Sequence, residues 1–111
     1  MSRENKRNFD KAAAQWDANP GQVKLANKIA DAIIREGSLE PTMNALDFGC
    51  GTGLVTLRLQ PLLKSILGVD SSQGMLGALQ RKINASGVAN VWTRMVDFEK
   101  GDPWQALLIS S

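Results

Sequence analysis

Residues 46–53 have the sequence LDFGCGTG, a short apolar run followed at once by glycines at positions 49, 51 and 53. The apolar run over residues 44–48 predicts a β-strand that enters a tight turn. Glycines in such a turn adopt positive φ angles and let ligand atoms approach bare backbone that a Cβ would block. The stretch therefore predicts a strand whose following turn comes close to a bound molecule.

Helical and strand patterns alternate on both sides of this turn. The predicted elements are a helix at 22–35, the strand at 44–48, a helix at 54–60, a strand at 65–70, a helix from Ser71 or Ser72 to about residue 84, and a strand at 90–96. Right-handed crossovers between parallel strands give the spatial order 3-2-1 and put the helices mainly on one face. The predicted fold class is α/β, a Rossmann-like partial parallel sheet.

Two aspartates fall at the carboxyl ends of the second and third predicted strands. Asp70 stands 21 positions after Gly49, close to the offset of about 20 residues expected for an acid that binds a ribose. Asp97 follows the third strand, where it is placed to accept a hydrogen bond from the exocyclic amine of an adenine. A dinucleotide fingerprint would need glycine at position 54, and Leu54 stands there, so a nicotinamide-dependent oxidoreductase is the weaker alternative.

Composition removes several function classes. The 111-residue chain contains no histidine, which excludes Ser-His-Asp and Cys-His catalysis and histidine metal ligands, and no metal site is predicted. The single cysteine, Cys50, is interpreted as a small filler without a catalytic role. The formal net charge of +2 makes nucleic-acid binding unlikely on charge grounds. The polar N-terminus and the lack of a long apolar run predict a cytoplasmic protein without a membrane segment.

Three stretches together resemble the class I S-adenosylmethionine-dependent methyltransferases: ALDFGCGTGLVT, LGVDSSQGML and TRMVDFEKG. The resemblance spans residues 9–101 and is strongest to small-molecule enzymes of the quinone-biosynthesis type. It implies that S-adenosylmethionine is the cofactor, that S-adenosylhomocysteine is the product, and that the methyl acceptor is a small molecule. The resemblance assigns no catalytic residue.

The same resemblance assigns cofactor-binding roles around the glycine turn. Gly49, Gly51 and Gly53 would line the methionine and ribose end of the cofactor. Asp70 would hold the ribose, and Ser71, the next residue, is included in the predicted site.

Five further residues complete the predicted cofactor site. Met75 would lie against the adenine, although its helical spacing alone makes it a core residue, and Asp97 and Phe98 would frame the far edge of the adenine. Asp47 would either orient the turn by accepting loop amides or contact the amino group of the cofactor. Trp16 would either fold over the cofactor or anchor the N-terminal segment.

The resemblance also implies an incomplete domain, because the family's fold has seven strands. Residues 1–20 are predicted to be an arm that covers the cofactor, and residues 21–111 the S-adenosylmethionine-binding domain. Residues 106–111 would form a fourth strand, giving the order 3-2-1-4, unless Asp102 and Pro103 begin a short helix or the segment is a tail. An uncovered sheet face predicts self-association. The alternative function is a non-catalytic domain that binds S-adenosylmethionine or S-adenosylhomocysteine, or a partner protein, without turnover.

Overall fold

The computed structural model describes residues 12–13 and 15–96. Residues 12–13 and 15–16 have helical backbone, and a regular succession of elements follows them. These elements are α1 (Pro20–Glu36), β1 (Asn44–Phe48), α2 (Leu54–Leu59), a 3-10 turn (Gln60–Leu62), β2 (Ser65–Asp70), α3 (Gln73–Ser86) and β3 (Val91–Met95). The predicted alternation of helices and strands is confirmed.

Both long helices begin at a side-chain cap. The carboxamide of Asn19 accepts hydrogen bonds from two N–H groups in the first turn of α1, at 2.9 and 3.3 Å. Pro20 occupies the first helical position, where no N–H donor is needed, so α1 begins two residues before the predicted start. Ser72, rather than Ser71, caps α3 by accepting from the Met75 N–H at 3.2 Å.

The three strands are parallel and lie in the order β1-β2-β3, which is the predicted order 3-2-1 viewed from the other edge. Phe48 pairs with Val69, and Asp70 pairs with Met95. The carboxyl ends of the strands therefore meet at one edge of the sheet, where the turn after β1 also lies. The fourth strand predicted at 106–111 lies outside the described residues.

Side chains from all three helices pack against the same face of the sheet. Ile33 of α1, Leu59 of α2 and Leu79 of α3 belong to one cluster with Ile66 of β2 and Val91 of β3. Ile66 and Leu79 are almost completely buried, and each such side chain contributes about 1.5–3 kcal/mol to stability. The prediction that the helices cover one face is confirmed.

The opposite face of the sheet is partly open. Leu46, Leu67 and Trp92 are neighbours across the three strands, and the two leucines are only half-buried. Trp92 is 56% exposed and Phe48 is 50% exposed, although Val69 between the strands is fully buried. The described residues therefore leave apolar side chains of this sheet face accessible to solvent.

Two negative findings apply to the part of the chain that the structure describes. Within it, no helix combines the length and the hydrophobicity needed to cross a membrane. Residues 12–13 and 15–96 also bring together no group of three acidic or cysteine side chains that would hold a metal ion.

Candidate functional site

The glycine turn, residues 49–53, wraps over the carboxyl end of β2. The N–H groups of Gly49 and Cys50 both donate to the carbonyl oxygen of Val69, at 2.8 and 3.0 Å. Gly53 N–H then closes the turn by donating to the Cys50 carbonyl at 3.0 Å. Gly49, Gly51 and Gly53 all have positive φ angles, of 73°, 57° and 84°, a backbone conformation that disfavours residues with a Cβ.

The three glycines face different surroundings. A Cβ at Gly49 would meet no atom within 4 Å, and one at Gly51 would meet only the sulfur of Met75, at 4.0 Å. A Cβ at Gly53 would lie 2.3 Å from Cδ1 of Leu79 in the core. Gly49 and Gly51 thus border open space where a ligand can reach the backbone, whereas packing of α3 explains the glycine at 53. A ligand contact at Gly53 stays a prediction.

Asp70, at the end of β2, holds the middle of the turn in place. Its Oδ2 accepts from Gly51 N–H at 2.8 Å, and its Oδ1 accepts from Ser72 N–H at 2.9 Å. A carboxylate offers about four acceptor positions, so this half-buried group retains capacity for further donors. Asp70 therefore lies beside the open backbone of Gly51 with room to accept from hydroxyl groups.

Asp47 lies beneath the turn and is bonded to α2. The hydroxyl of Thr56 donates to its Oδ2 at 2.5 Å. Burial raises the pKa of Asp47, the bond from Thr56 opposes that rise, and the charge of Asp70 adds to it. The sequence predicted that Asp47 orients the turn by accepting loop amides, but its partner is the Thr56 side chain, which ties β1 to α2. The predicted contact with the cofactor's amino group stays untested.

Cys50 is buried between the turn and the sheet. A Cβ at Gly68 of β2 would lie 2.9 Å from its sulfur, so the thiol fills the space that this glycine leaves. Burial, followed by the charges of Asp47 and Asp70, raises the pKa of the thiol to about 12. A thiol in this state is a poor nucleophile, which agrees with the structural role predicted for it.

Ser71 and Met75 are also buried where β2 leads into α3. Met75 is 3% exposed and Ser71 is 6% exposed, and the sulfur of Met75 lies below Gly51. Met75 is thus a core residue that also supports the turn. Its predicted contact with an adenine, and the ligand role of Ser71, stay predictions.

Trp16 is brought close to the glycine turn, across a cavity of about 150 Å³. The half-buried indole lines this cavity together with Gly49, Gly51 and Thr52 of the turn and with side chains of α1. The N-terminal segment therefore adjoins the predicted site. Whether Trp16 covers a ligand there stays a prediction.

Sequence reasoning missed the contacts that hold this segment down. The Asp17 carboxylate accepts from the Thr52 hydroxyl at 2.6 Å and pairs with the Lys82 ammonium at 2.7 Å. These partners are 35 and 65 positions away along the chain. No periodicity or motif links residues at such separations, and only the adjacency of Asp17 to Trp16 pointed to the site.

The adenine end of the predicted site is described only in part. Val96 N–H donates to the backbone carbonyl of Asp70 at 3.0 Å, which fixes the end of β3 against β2. Asp97 and Phe98 lie outside the described residues. The described structure thus brings together the glycine turn, Asp70, Met75 and Trp16.

The sequence comparisons with known proteins all match methyltransferases. The sequence profile of a family described as "Methyltransferase domain" matches residues 45–106. "Ribosomal RNA small subunit methyltransferase, mitochondrial" from Arabidopsis thaliana is 31% identical over 74 residues, covering 66% of this chain and 20% of that protein. "Malonyl-[acyl-carrier protein] O-methyltransferase" from Bacillus anthracis is 29% identical over 83 residues, covering 72% of this chain and 31% of that protein.

The fold is shared with solved structures. The structure titled "DhpI-SAH complex structure" superposes with a TM-score of 0.68 at 24% identity, covering 88% of this chain and 46% of that chain. The chain spans between 13% and 31% of the length of the curated relatives that it matches.

Proposed function

Because the chain belongs to the methyltransferase-domain family, we propose that it carries the S-adenosylmethionine-binding part of an S-adenosylmethionine-dependent methyltransferase. One observation carries the proposal: Gly49 and Gly51 leave backbone open to a ligand, and Gly51 donates to the carboxylate of Asp70. We call the open backbone of these two glycines, together with Asp70, the cradle. The cradle lies at the carboxyl ends of parallel strands, which is where ligands of such sheets bind.

The residues around the cradle fit the parts of this cofactor. Asp70 would accept from the two ribose hydroxyls, using the acceptor positions that Gly51 and Ser72 leave free. Each hydrogen bond to a charged group contributes about 1.5–3 kcal/mol. The open backbone at Gly49 and Gly51 would hold the methionine part of the cofactor, in the cavity that Trp16 lines.

The cofactor supplies an electrophilic methyl group on a sulfonium, and the protein's part is to hold it in position. Alignment of two reactants contributes about 7–11 kcal/mol to lowering a barrier. The absence of histidine from the chain is compatible with a reaction that relies on positioning. The described residues of the cradle bind and orient, and none of them is assigned an acid or base role.

We further propose that the methyl acceptor is a small molecule. The formal net charge of +2 supports this, because the charge gives little attraction for a polyanion. The relatives differ in the acceptor that they are named for, since one is named for ribosomal RNA and another for an acyl-carrier protein. The proposal is tested by incubating the chain and methyl-labelled S-adenosylmethionine with separated RNA, protein and small-molecule fractions of a cell extract. After the remaining cofactor is separated by chromatography, label in a small-molecule product is expected, and label in RNA contradicts the proposal.

Calorimetry with S-adenosylhomocysteine tests the binding site itself. The unmodified chain is expected to bind, and Asp70→Ala is expected to bind at least tenfold more weakly. Asp31→Ala is the matched control, because Asp31 is an exposed carboxylate that pairs with Arg58 between α1 and α2. No binding by the unmodified chain, or equal binding by Asp70→Ala, contradicts the assignment. Binding without transfer to any fraction favours the non-catalytic alternative.

A further inference from the structure

Asp17 makes a two-sided contact that joins three separate parts of the fold. One carboxylate oxygen accepts from the Thr52 hydroxyl in the glycine turn, and the other pairs with Lys82 on α3. Thr52 is 1% exposed, whereas the side chains of Asp17 and Lys82 are 38% and 30% exposed. One end of the contact is therefore anchored in the protein interior, and the other is accessible to solvent and ions.

The residue before Asp17 borders the open side of the candidate site. Trp16 lines the cavity that Gly49 and Gly51 also line. Backbone hydrogen bonds from Ala18 to Gln15 and from Asn19 to Trp16, at 3.1 and 3.2 Å, make this segment a compact turn. The contacts of the neighbouring carboxylate therefore tie the segment that carries this indole to the glycine turn and to α3.

We propose that Asp17 is a positioning residue, a latch that holds Trp16 over the glycine turn and thereby sets how tightly the cavity retains its ligand. The identity of that ligand rests on the proposed function, but the latch is a property of the ligand-free chain. A partly exposed ion pair is weak and is screened by salt. The latch therefore opens and closes, and ionic strength shifts the balance.

The latch makes a quantitative link between opening and affinity. When only a fraction of the molecules is competent to bind, the apparent affinity falls by that fraction. Because an exposed ion pair contributes little, breaking it lowers the fraction of molecules that keep Trp16 in place, and with it the affinity, by about two- to fivefold. If Asp17 only stabilised the fold, its substitution would lower the unfolding free energy. The substitution would then leave the position of Trp16 and the ligand affinity of the folded protein unchanged.

Three variants separate the latch from general stability. Asp17→Asn retains an oxygen that accepts from Thr52 but loses the charge that attracts Lys82. Lys82→Met breaks the same ion pair from α3 without touching the glycine turn. Asp31→Asn, the control, removes the charge from a different exposed ion pair.

Two readouts are taken for each variant at low and high ionic strength. Acrylamide quenching of Trp16 fluorescence, in chains where Trp92 and Trp104 are replaced by Phe, reports access to the indole without ligand. Calorimetry with S-adenosylhomocysteine reports affinity. Asp17→Asn and Lys82→Met are expected to raise quenching and to weaken binding about two- to fivefold, whereas the control changes neither. High salt is expected to weaken binding in the unmodified chain and to have little effect on those two variants.

The outcomes distinguish the latch from the proposed ligand. Unchanged quenching in Asp17→Asn and Lys82→Met overturns the latch. Increased quenching with unchanged affinity overturns its link to binding. If the unmodified chain does not bind S-adenosylhomocysteine, the proposed function fails, and the quenching of Trp16 alone then supports or overturns the latch.

Discussion

Gly49→Ala and Gly53→Ala add the same single carbon to the same turn, yet they are predicted to damage different properties. The first carbon would enter open space beside the cavity, and the second would enter the core. Gly49→Ala should therefore impair ligand binding more than folding. Gly53→Ala should impair folding first.

The structure gives the size of each effect. Both positions have positive φ angles, of 73° and 84°, and an alanine in that conformation costs about 1–2 kcal/mol. At Gly53 the added Cβ would lie 2.3 Å from Cδ1 of Leu79, which is fully buried. Overpacking of this kind costs about a further 1–3 kcal/mol. Urea denaturation should thus show a loss of about 1–2 kcal/mol for Gly49→Ala and about 2–5 kcal/mol for Gly53→Ala.

Gly87→Ala calibrates the backbone cost alone. Gly87 ends α3 with a φ of 69°, and a Cβ there would meet no atom within 4 Å. The substitution Gly87→Ala should lower the unfolding free energy as much as Gly49→Ala does, and it should leave binding of S-adenosylhomocysteine unchanged. If Gly53→Ala destabilises no more than Gly87→Ala, the packing argument is wrong. If Gly49→Ala binds as tightly as the unmodified chain, the open cradle is not the ligand site.

Three further predictions follow from burial and exposure. Burial raises the pKa of Asp47 above its ordinary value of 3.8, so the folded chain holds this proton more tightly and loses stability as the pH rises above that value. Measured by urea titration, the unfolding free energy of Asp47→Asn minus that of the unmodified chain should therefore rise between about pH 4 and pH 7. A difference that does not change with pH would contradict this. The thiol of Cys50, whose pKa is raised to about 12, should react with a disulfide reagent at neutral pH far more slowly in the folded than in the unfolded chain, and equal rates would refute its burial. We propose that the sheet face around Trp92, which is 56% exposed, mediates self-association; Trp92→Glu should lower the mass seen by light scattering, and a monomeric unmodified chain at high concentration would argue against it.

Local signals were enough to predict most of the described fold. The apolar run and glycines at 44–53 predicted β1 and its turn, and the near-continuous apolar stretch at 65–70 predicted β2. Pro61 follows the end of α2, and Gly87, with a φ of 69°, follows the last residue of α3. These signals work because strand burial, proline geometry and left-handed glycines act within a few residues of one another.

The details of the site could not be predicted in the same way. The glycine spacing suggested one role for three residues, but Leu79, 26 positions after Gly53 in the sequence, determines why the third is a glycine. The partner of Asp47 is a side chain of the next helix rather than the turn itself. Such contacts depend on how α2 and α3 pack, which a spacing pattern does not encode.

The central claim is that Asp70 in the cradle binds the ribose hydroxyls of the cofactor. It is tested most directly by a thermodynamic cycle that combines Asp70→Ala with removal of those hydroxyls. Binding of S-adenosylhomocysteine and of its analogue lacking both ribose hydroxyls is measured by calorimetry for the unmodified chain and for Asp70→Ala, with thermal melting to verify that each is folded. Removing the hydroxyls should cost the unmodified chain at least tenfold in affinity and cost Asp70→Ala little, because the acceptor of those hydrogen bonds is already gone. An equal loss in both proteins would show that the ribose binds elsewhere and would contradict the proposed site.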